Sequence, residues 1–362
     1  MTEFDLPLFE GIARNHVEWA LRFFRMADVE VGMRLIEEGE TDPTLLCVVH
    51  GELDIKTGDT PLGTADAGSI VGEMALFGTG QRMASVEARS KARILLLDRP
   101  GYTKLRDTNS PVALALEHFA LEQLMQRLSD TSDAIAELAH GKQATAVVPQ
   151  RGFFSAVRNL FGVGGPRRAP EVDPVKVMQA TPFFSDALPD ALAQIGDRMA
   201  PQAWSAGSFL CTEGTIGQEM YLLADGQVEV LISTGDERAE QLATLEPGDA
   251  FGMIALLDSR PRMASVVSRT PVTVLALGLT DWQDLVGANT PGGSAMRVAM
   301  IRCVSDQLAF ANAQLAQLDL SRHLMDTLPG IRLAEAHMEA HGKQLTPAVP
   351  PDRPPAKPQP RR

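Results

Sequence analysis

Apolar residues along this chain follow two patterns, and the pair of patterns occurs twice. Leu35–Gly39, Leu45–Val49, Gly51–Ile55, Pro61–Thr64 and Ala92–Leu97 are short apolar runs bounded by Gly, Asp or Pro, which predicts strands separated by tight turns. A second series repeats them as Ser208–Gly214, Met220–Leu223, Gly226–Ile232, Gln241–Leu245 and Val272–Leu277. After each series the spacing turns helical. Within Val112–Leu138, Leu114, Leu121, Leu128 and Ile135 recur every seven residues, with Leu124 and Leu138 on the alternate seam. The later stripe is Ile301, Val304, Leu308, Ala311, Leu315, Leu318 and Met325. Before each strand series stand Pro7-Leu8-Phe9, leading into a helical pattern (Val17, Leu21, Phe24), and Pro182-Phe183-Phe184. Many short strands at even spacing predict a jelly-roll type barrel, so the fold class is mainly β with α: two jelly-roll (double-stranded β-helix) barrels, each flanked by helices.

The glycines confirm a duplication at the level of sequence. Gly39, Gly51 and Gly68 keep step with Gly214, Gly226 and Gly248, as turns needing a positive φ require. The hairpin around Ile232–Gln241 is longer in the second copy, at a tip that tolerates insertion. The best-matched stretch is Val71–Val86, VGEMALFGTGQRMASV, against Phe251–Val266, FGMIALLDSRPRMASV. In each, a strand end meets a Gly, then a short apolar turn, a loop and Arg-Met-Ala-Ser-Val. That order suits capture of one phosphate: Gly72 permits close backbone approach, and the first amides of Glu73–Leu76 face an anion. Arg82 adds a planar charged fork, and Glu73 accepts from a sugar hydroxyl.

Gly-Glu-hydrophobic-Ala-Leu, a loop, then Arg-x-Ala-Ser-Val resembles the phosphate-binding cassette of cyclic nucleotide-binding domains, the kind found in protein kinase A regulatory subunits and catabolite-activator-type sensors. The nine-residue step from Glu73 to Arg82 is similar to that of the kinase subunits. The resemblance implies a cyclic-nucleotide site at Gly72, Glu73, Met74, Ala75, Arg82, Met83 and Ala84, with Arg82 and main-chain amides on the cyclic phosphate and Glu73 on the ribose. It also implies that the helix after each barrel is a lid and, in the catabolite-activator-like members, a homodimer seam, with Thr131 or Ser132 reaching the base. Two departures stand out in the first copy: Gln81 replaces a usual Pro, and Met83 puts no hydroxyl beside the arginine. The second copy offers Gly252, Met253, Ile254, Arg262, Met263 and Ala264 as a doubtful site. Met253 stands where the acid belongs, and a thioether in its place weakens a bound ribose by roughly 1–3 kcal/mol.

The chain of 362 residues divides into a first nucleotide-binding-like domain (1–140), a basic linker (141–175), a second domain (176–328) and a helical end with a Pro-rich tail (329–362). A net charge of −13 disfavours nucleic acid as a partner, because phosphate attraction needs the opposite sign. The linker carries the contrary charge: Lys142, Arg151, Arg158, Arg167 and Arg168 precede its first acid. Within it Arg151–Gly162 is a short amphipathic basic segment, expected to dock on a barrel in preference to a membrane or a partner groove. The three cysteines (Cys47, Cys211, Cys303) sit in apolar patterns with no metal or disulfide spacing, and are expected to be buried thiols. No secretory or membrane-spanning run occurs, so the expected compartment is the cytoplasm. About 37 residues follow Met325, nearly half of them Pro-rich, against the roughly 60–70 that a winged helix module needs, so no DNA-binding domain is expected.

Catalysis is the weakest class. None of the seven histidines pairs with a nucleophile motif, and HMEAH around His337 and His341 lacks the glutamate placement of a zinc protease. No metal or cofactor is expected. Two readings remain. In the first, a non-enzymatic regulatory protein senses a cyclic nucleotide such as cAMP through its first domain and relays occupancy through its C-terminal helices to an unidentified regulated protein, the second domain being degenerate. In the alternative, a ligand-free scaffold or adaptor keeps the fold, with Glu73 paired to Arg82 over a filled, dry pocket.

Overall fold

A computed structural model of the chain describes residues 2–140, 166–233, 239–258 and 261–327. The basic segment Arg151–Gly162, the His337/His341 pair and the Pro-rich tail lie outside these residues. Contacts divide the chain into a unit Met1–Ala316 and a second, Gln317–Arg362. Both barrels lie in the first unit.

In the first half, α1 (Arg14–Ala20) is followed by β1 (Arg25–Val29), β2 (Arg34–Ile36), β3 (Leu45–His50), β4 (Glu52–Thr57), β5 (Thr60–Asp66) and β6 (Ile70–Val71). A five-residue helix α2 (Glu73–Phe77) interrupts the strands before β7 (Ser85–Ala88) and β8 (Ala92–Leu97); α3 (Arg99–Asp107) and the long α4 (Pro111–His140) close the half. The strands form two antiparallel four-stranded sheets, β1-β8-β3-β6 and β2-β7-β4-β5, stacked as a jelly roll.

The second half repeats this order. After β9 (Arg167–Arg168), α5 (Pro174–Gln179) and α6 (Pro189–Gly196) come β10 (Ala200–Trp204), β11 (Phe209–Cys211), β12 (Glu219–Asp225), β13 (Val228–Ser233), β14 (Ala239–Leu245) and β15 (Ala250–Phe251). Helix α7 (Ile254–Asp258), β16 (Ser265–Ser268), β17 (Val272–Gly278), α8 (Leu279–Gly287) and α9 (Pro291–Thr327) complete it. Sheets β15-β12-β17-β10-β9 and β11-β16-β13-β14 match those of the first half strand for strand, with β9 added at one edge through Gln202 and Ala203. The linker stretch around Arg167 is therefore part of a sheet, where a plain connector was expected.

Strands β3 and β8 read as unbroken apolar runs because both faces are covered. Leu46, Val48 and Ile94 point into the barrel with Leu53, Ala65 and Val86. Their neighbours Leu45, Cys47, Val49, Leu95 and Leu97 join a second core made with the helices. That helical core is continuous through both halves, taking in Leu116 and Leu124 of α4 and Ile301, Val304 and Leu308 of α9. The α9 stripe is thus buried within the chain as far as Ala311, which leaves that part of it no face for a second copy. Cys47 and Cys211 are buried as expected, and burial pushes their thiols up to about 12 and about 11. The expected positive φ holds at Gly39, Gly51, Gly68, Gly214, Gly226 and Gly248.

One polar cluster lies inside this helical core. Glu117 on α4 and Arg297 on α9 are each 1% exposed and joined at 2.7 Å through Oε2 and Nε. Glu117 Oε1 accepts from Tyr102 and Ser294, both at 2.7 Å, and Arg297 Nη1 donates to the carbonyls of Val286 and Ala288. A buried pair so completely bonded fixes how α4 meets α9. Replacing Arg297 with Met leaves the Glu117 carboxylate buried without its cation, and the expected loss is about 3–5 kcal/mol in urea unfolding. The double change Glu117→Leu with Arg297→Met should recover most of it, and a single variant as stable as the parent would refute this role.

Candidate functional site

The chain leaves β6 at Val71 and turns into α2 through Gly72, whose φ is +92°. A Cβ here would overlap Arg82 Nη1 and approach the Thr44 carbonyl to 2.7 Å, so only glycine admits the guanidinium this close to the turn. Arg82 returns to the turn because Arg82 N donates to Glu40 O and Gly39 N to Arg82 O, flanking the bridge between Thr41 and Gln81. Its side chain is 3% exposed, and Nη2 donates to Asp42 Oδ2 at 2.9 Å. Burial alone would raise the Asp42 carboxyl, but bonds from Thr44 and the Arg82 guanidinium outweigh it and hold it below its ordinary value.

Glu73 begins α2 and is 1% exposed. It does not pair with Arg82, as the scaffold alternative required. Its Oε1 accepts from Arg127 Nη1 of α4 at 2.7 Å, and Arg127 Nη2 donates to Ile70 O at 2.8 Å. Gln123 of the same helix accepts from Ile70 N. Helix α4 is thereby latched onto the cassette from above. At the other end of α2, Arg99 donates to Ala75 O and Gly78 O, and Arg302 of α9 donates to Phe77 O at 2.6 Å. Two cations so satisfy the last carbonyls of α2 and oppose its dipole.

Three buried polar atoms are left over: Glu73 Oε2, Arg82 Nε and Arg82 Nη1 have no hydrogen-bond partner among the described residues. Buried donors and acceptors are rarely orphaned without reason. These belong to residues that line a cavity of about 400 Å³, together with Gly72, Met74, Ala75, Met83 and Ala84. All seven residues singled out in the first copy therefore converge on one space, whose size lies in the range of small-molecule sites, about 300–1,000 Å³. Thr131 lines it as well, whereas Ser132 is exposed and donates to Leu128 O. Sequence reasoning missed Arg127 and Asp42. Arg127 had a signal, since with Leu124 and Thr131 it lies on one face of α4; Asp42, in a loop, had none.

The second copy folds alike but wires its arginine differently. Gly252 again has a positive φ, +81°. Met253 is buried in the helical core, and Arg262 donates to the carbonyls of Gly252 and Glu219. Gly217 occupies the place of Asp42, and a Cβ there would overlap the Arg262 guanidinium. The hollow beside Arg262 is lined by Gln218, Glu219 and Tyr221, and none of Gly252, Met253, Ile254, Met263 or Ala264 reaches it. Met263 is 70% exposed. The six residues of the second copy are thus not gathered around one space. Among the described residues no group of three or more His, Cys, Asp or Glu is placed to hold a metal, and no helix is long and apolar enough to cross a membrane.

Residues 28–109 and 201–289 both match the family described as Cyclic nucleotide-binding domain, one match on each barrel. The chain carries two cyclic nucleotide-binding domains. It is 24% identical over 280 residues to a cAMP-dependent protein kinase regulatory subunit of Yarrowia lipolytica, covering 77% of this chain and 59% of that protein. A cGMP-dependent protein kinase, egl-4 of Caenorhabditis briggsae, is 24% identical over 258 residues, covering 71% of this chain and 27% of the kinase. The chain thus spans about a quarter to three-fifths of the length of these relatives. A solved structure of the regulatory domain of Toxoplasma gondii PKA with cAMP aligns with 78% of the chain and 88% of its own, at 17% identity and a TM-score of 0.30.

Substituting Gly72 by Ala puts a Cβ into both the left-handed turn and the Arg82 guanidinium. The expected cost exceeds about 1 kcal/mol in chemical denaturation. No loss would mean that the turn and Arg82 are not in contact.

Proposed function

We propose that this protein is a non-enzymatic regulatory sensor that takes one cyclic mononucleotide per chain, cAMP or a close relative, in the first domain (1–140). Gly72 and the Arg82 guanidinium hold the cyclic phosphate, Glu73 Oε2 accepts from the ribose, and Met74, Ala75, Met83 and Ala84 shape the walls. The observation that carries this reading is the set of three unpartnered buried polar atoms, two donors and one acceptor, on residues lining a cavity of about 400 Å³. An anion that also carries a hydroxyl is the ligand that satisfies both kinds. The scaffold reading is disfavoured because Glu73 and Arg82 are bonded to other residues and the space between them is open.

The second domain (176–328) is read as degenerate toward ligand. Its arginine is turned to the main-chain carbonyls of Gly252 and Glu219, and the position of the acid is held by an apolar core residue, Met253. Its role is relay. Arg302 links the end of α2 to Asp186 and Ser185, so a shift of the cassette on ligand binding moves α9. A ligand drives that shift only through contacts it makes better in one arrangement. The regulated partner is a separate protein of the cytoplasm, and the names of the relatives point to a protein kinase. The net charge of −13 argues against DNA in that role.

Isothermal titration with cAMP, cGMP and cyclic di-GMP tests the reading, and saturation at one cyclic mononucleotide per chain is expected. Arg82→Ala should lose about 3 kcal/mol of binding, two orders of magnitude in Kd, while Arg262→Ala changes neither affinity nor stoichiometry. Failure of the parent to bind any of the three overturns the sensor.

A further inference from the structure

A second cavity lies at the C-terminal end of the cassette helix α2, away from the turn at Gly72. It holds about 240 Å³ between α2 and α3 of the first domain and the Pro182–Phe184 turn, α6 and α9 of the second. Its wall is largely apolar, made by Leu76, Phe77, Tyr102, Phe183, Phe184 and Val298. Phe77 meets Tyr102 edge to face at 5.0 Å, and Phe183 meets Phe184 in the same way at 4.8 Å. The hydroxyls of Tyr102 and Ser294, which also line it, are already given to Glu117. None of its lining residues lines the cassette cavity, which α9 reaches further along, at Leu308 and Asn312. From Val298 to Leu308 the helix rises about 15 Å, so the two spaces are separate.

The charged lining is cationic in balance. Arg99, Arg106 and Arg302 stand against Asp107 and Asp186, three positive charges to two negative. Arg302 is paired with Asp186, and Arg106 with Asp107 at 3.1 Å. The unbalanced charge is that of Arg99. Its Nη2 donates to the carbonyls of Ala75 and Gly78, its Nε is buried without a partner, and among the described residues no carboxylate pairs with it. A buried donor of a charged group left unpaired costs free energy that a ligand recovers. The fold does not demand this arginine: in the second copy the helix that corresponds to α3 is α8, and it begins with Leu279.

We infer that this cavity is a second ligand site, for a small aromatic monocarboxylate, one ring on a short arm with its carboxylate on Arg99. One negative charge balances the surplus cation, and a carboxylate accepts the charge-assisted bonds that the Arg99 Nε and Nη1 have left to give. The size agrees, since about 150 Å³ is enough for benzene and the remaining space takes the arm and the carboxylate. Walls that carry four aromatic rings favour a further ring packed against them. A nucleotide fits poorly, because its phosphate and sugar bring polar groups to a wall that offers them no partners. Both domains contribute the walls, so a bound acid pins the end of the cassette helix against the second domain.

The test titrates the full chain with phenylacetate, its uncharged amide phenylacetamide and inorganic phosphate by calorimetry. Phenylacetate should bind at one per chain and about tenfold or more tighter than the amide, and phosphate should not displace it. Arg99→Leu should bring the acid down to the amide's affinity. Ala295→Phe fills the cavity and leaves Arg99 in place, so it should abolish binding of both. Arg82→Ala should leave the acid's affinity at the parental value, which separates this site from the cassette. If Arg99→Leu lowers the thermal unfolding midpoint through its lost bonds to α2, Ala295→Phe decides alone. A parent that binds no phenylacetate, equal binding of acid and amide, displacement by phosphate, or parental affinity in Ala295→Phe overturns the inference and leaves the cyclic-nucleotide reading standing.

Discussion

A carboxylate sealed from water must be surrounded by donors, and at Glu117 those donors come from two domains at once. Tyr102 belongs to the first half, Ser294 and Arg297 to the second. Loss of Arg297 would strand the Glu117 charge, and loss of Tyr102 or Ser294 would leave Oε1 short of a donor. The junction of α4 with α9 is therefore held in one arrangement by satisfaction of polar groups, where a purely apolar contact would tolerate sliding. From that fixed junction the rest follows: Arg302 reaches the end of the cassette helix, and the next turns of α9 come over the cavity.

The barrels were legible because their signals are local. Glycines at positive φ, apolar runs and the repeated Arg-Met-Ala-Ser-Val each depend on a few neighbouring residues. Strands β1 and β10 gave no such signal: Arg25–Val29 and Ala200–Trp204 are largely polar or exposed edge-proximal segments, and their pairing with β8 and β17 is decided by partners far along the chain. The candidate site divides in the same way. Gly72, Glu73 and Arg82 lie within one short stretch and could be read together. Arg127, Asp42 and Asn312 enter it from a helix, a loop and another domain, brought in by tertiary packing that no spacing along the sequence encodes.

Placing the two copies side by side separates what the fold requires from what it permits. Both keep a positive-φ glycine after the sixth strand and a buried arginine that returns beneath it. The first arginine is steadied by a carboxylate and retains two buried unpaired donors; the second donates to two backbone carbonyls. The same scaffold thus supports an arginine held by a carboxylate with donors to spare and one held by backbone carbonyls. The difference lies in a single neighbouring position, Asp42 against Gly217.

That position also constrains how the second copy could change. The Arg262 guanidinium fills the volume where any side chain at 217 would begin. An aspartate acquired there would have to displace the guanidinium from the carbonyls of Gly252 and Glu219. Recovery of the first copy's geometry would need Arg262 to be re-seated as the new side chain arrives. Reversal of that difference therefore asks for a side-chain rearrangement as well as a substitution.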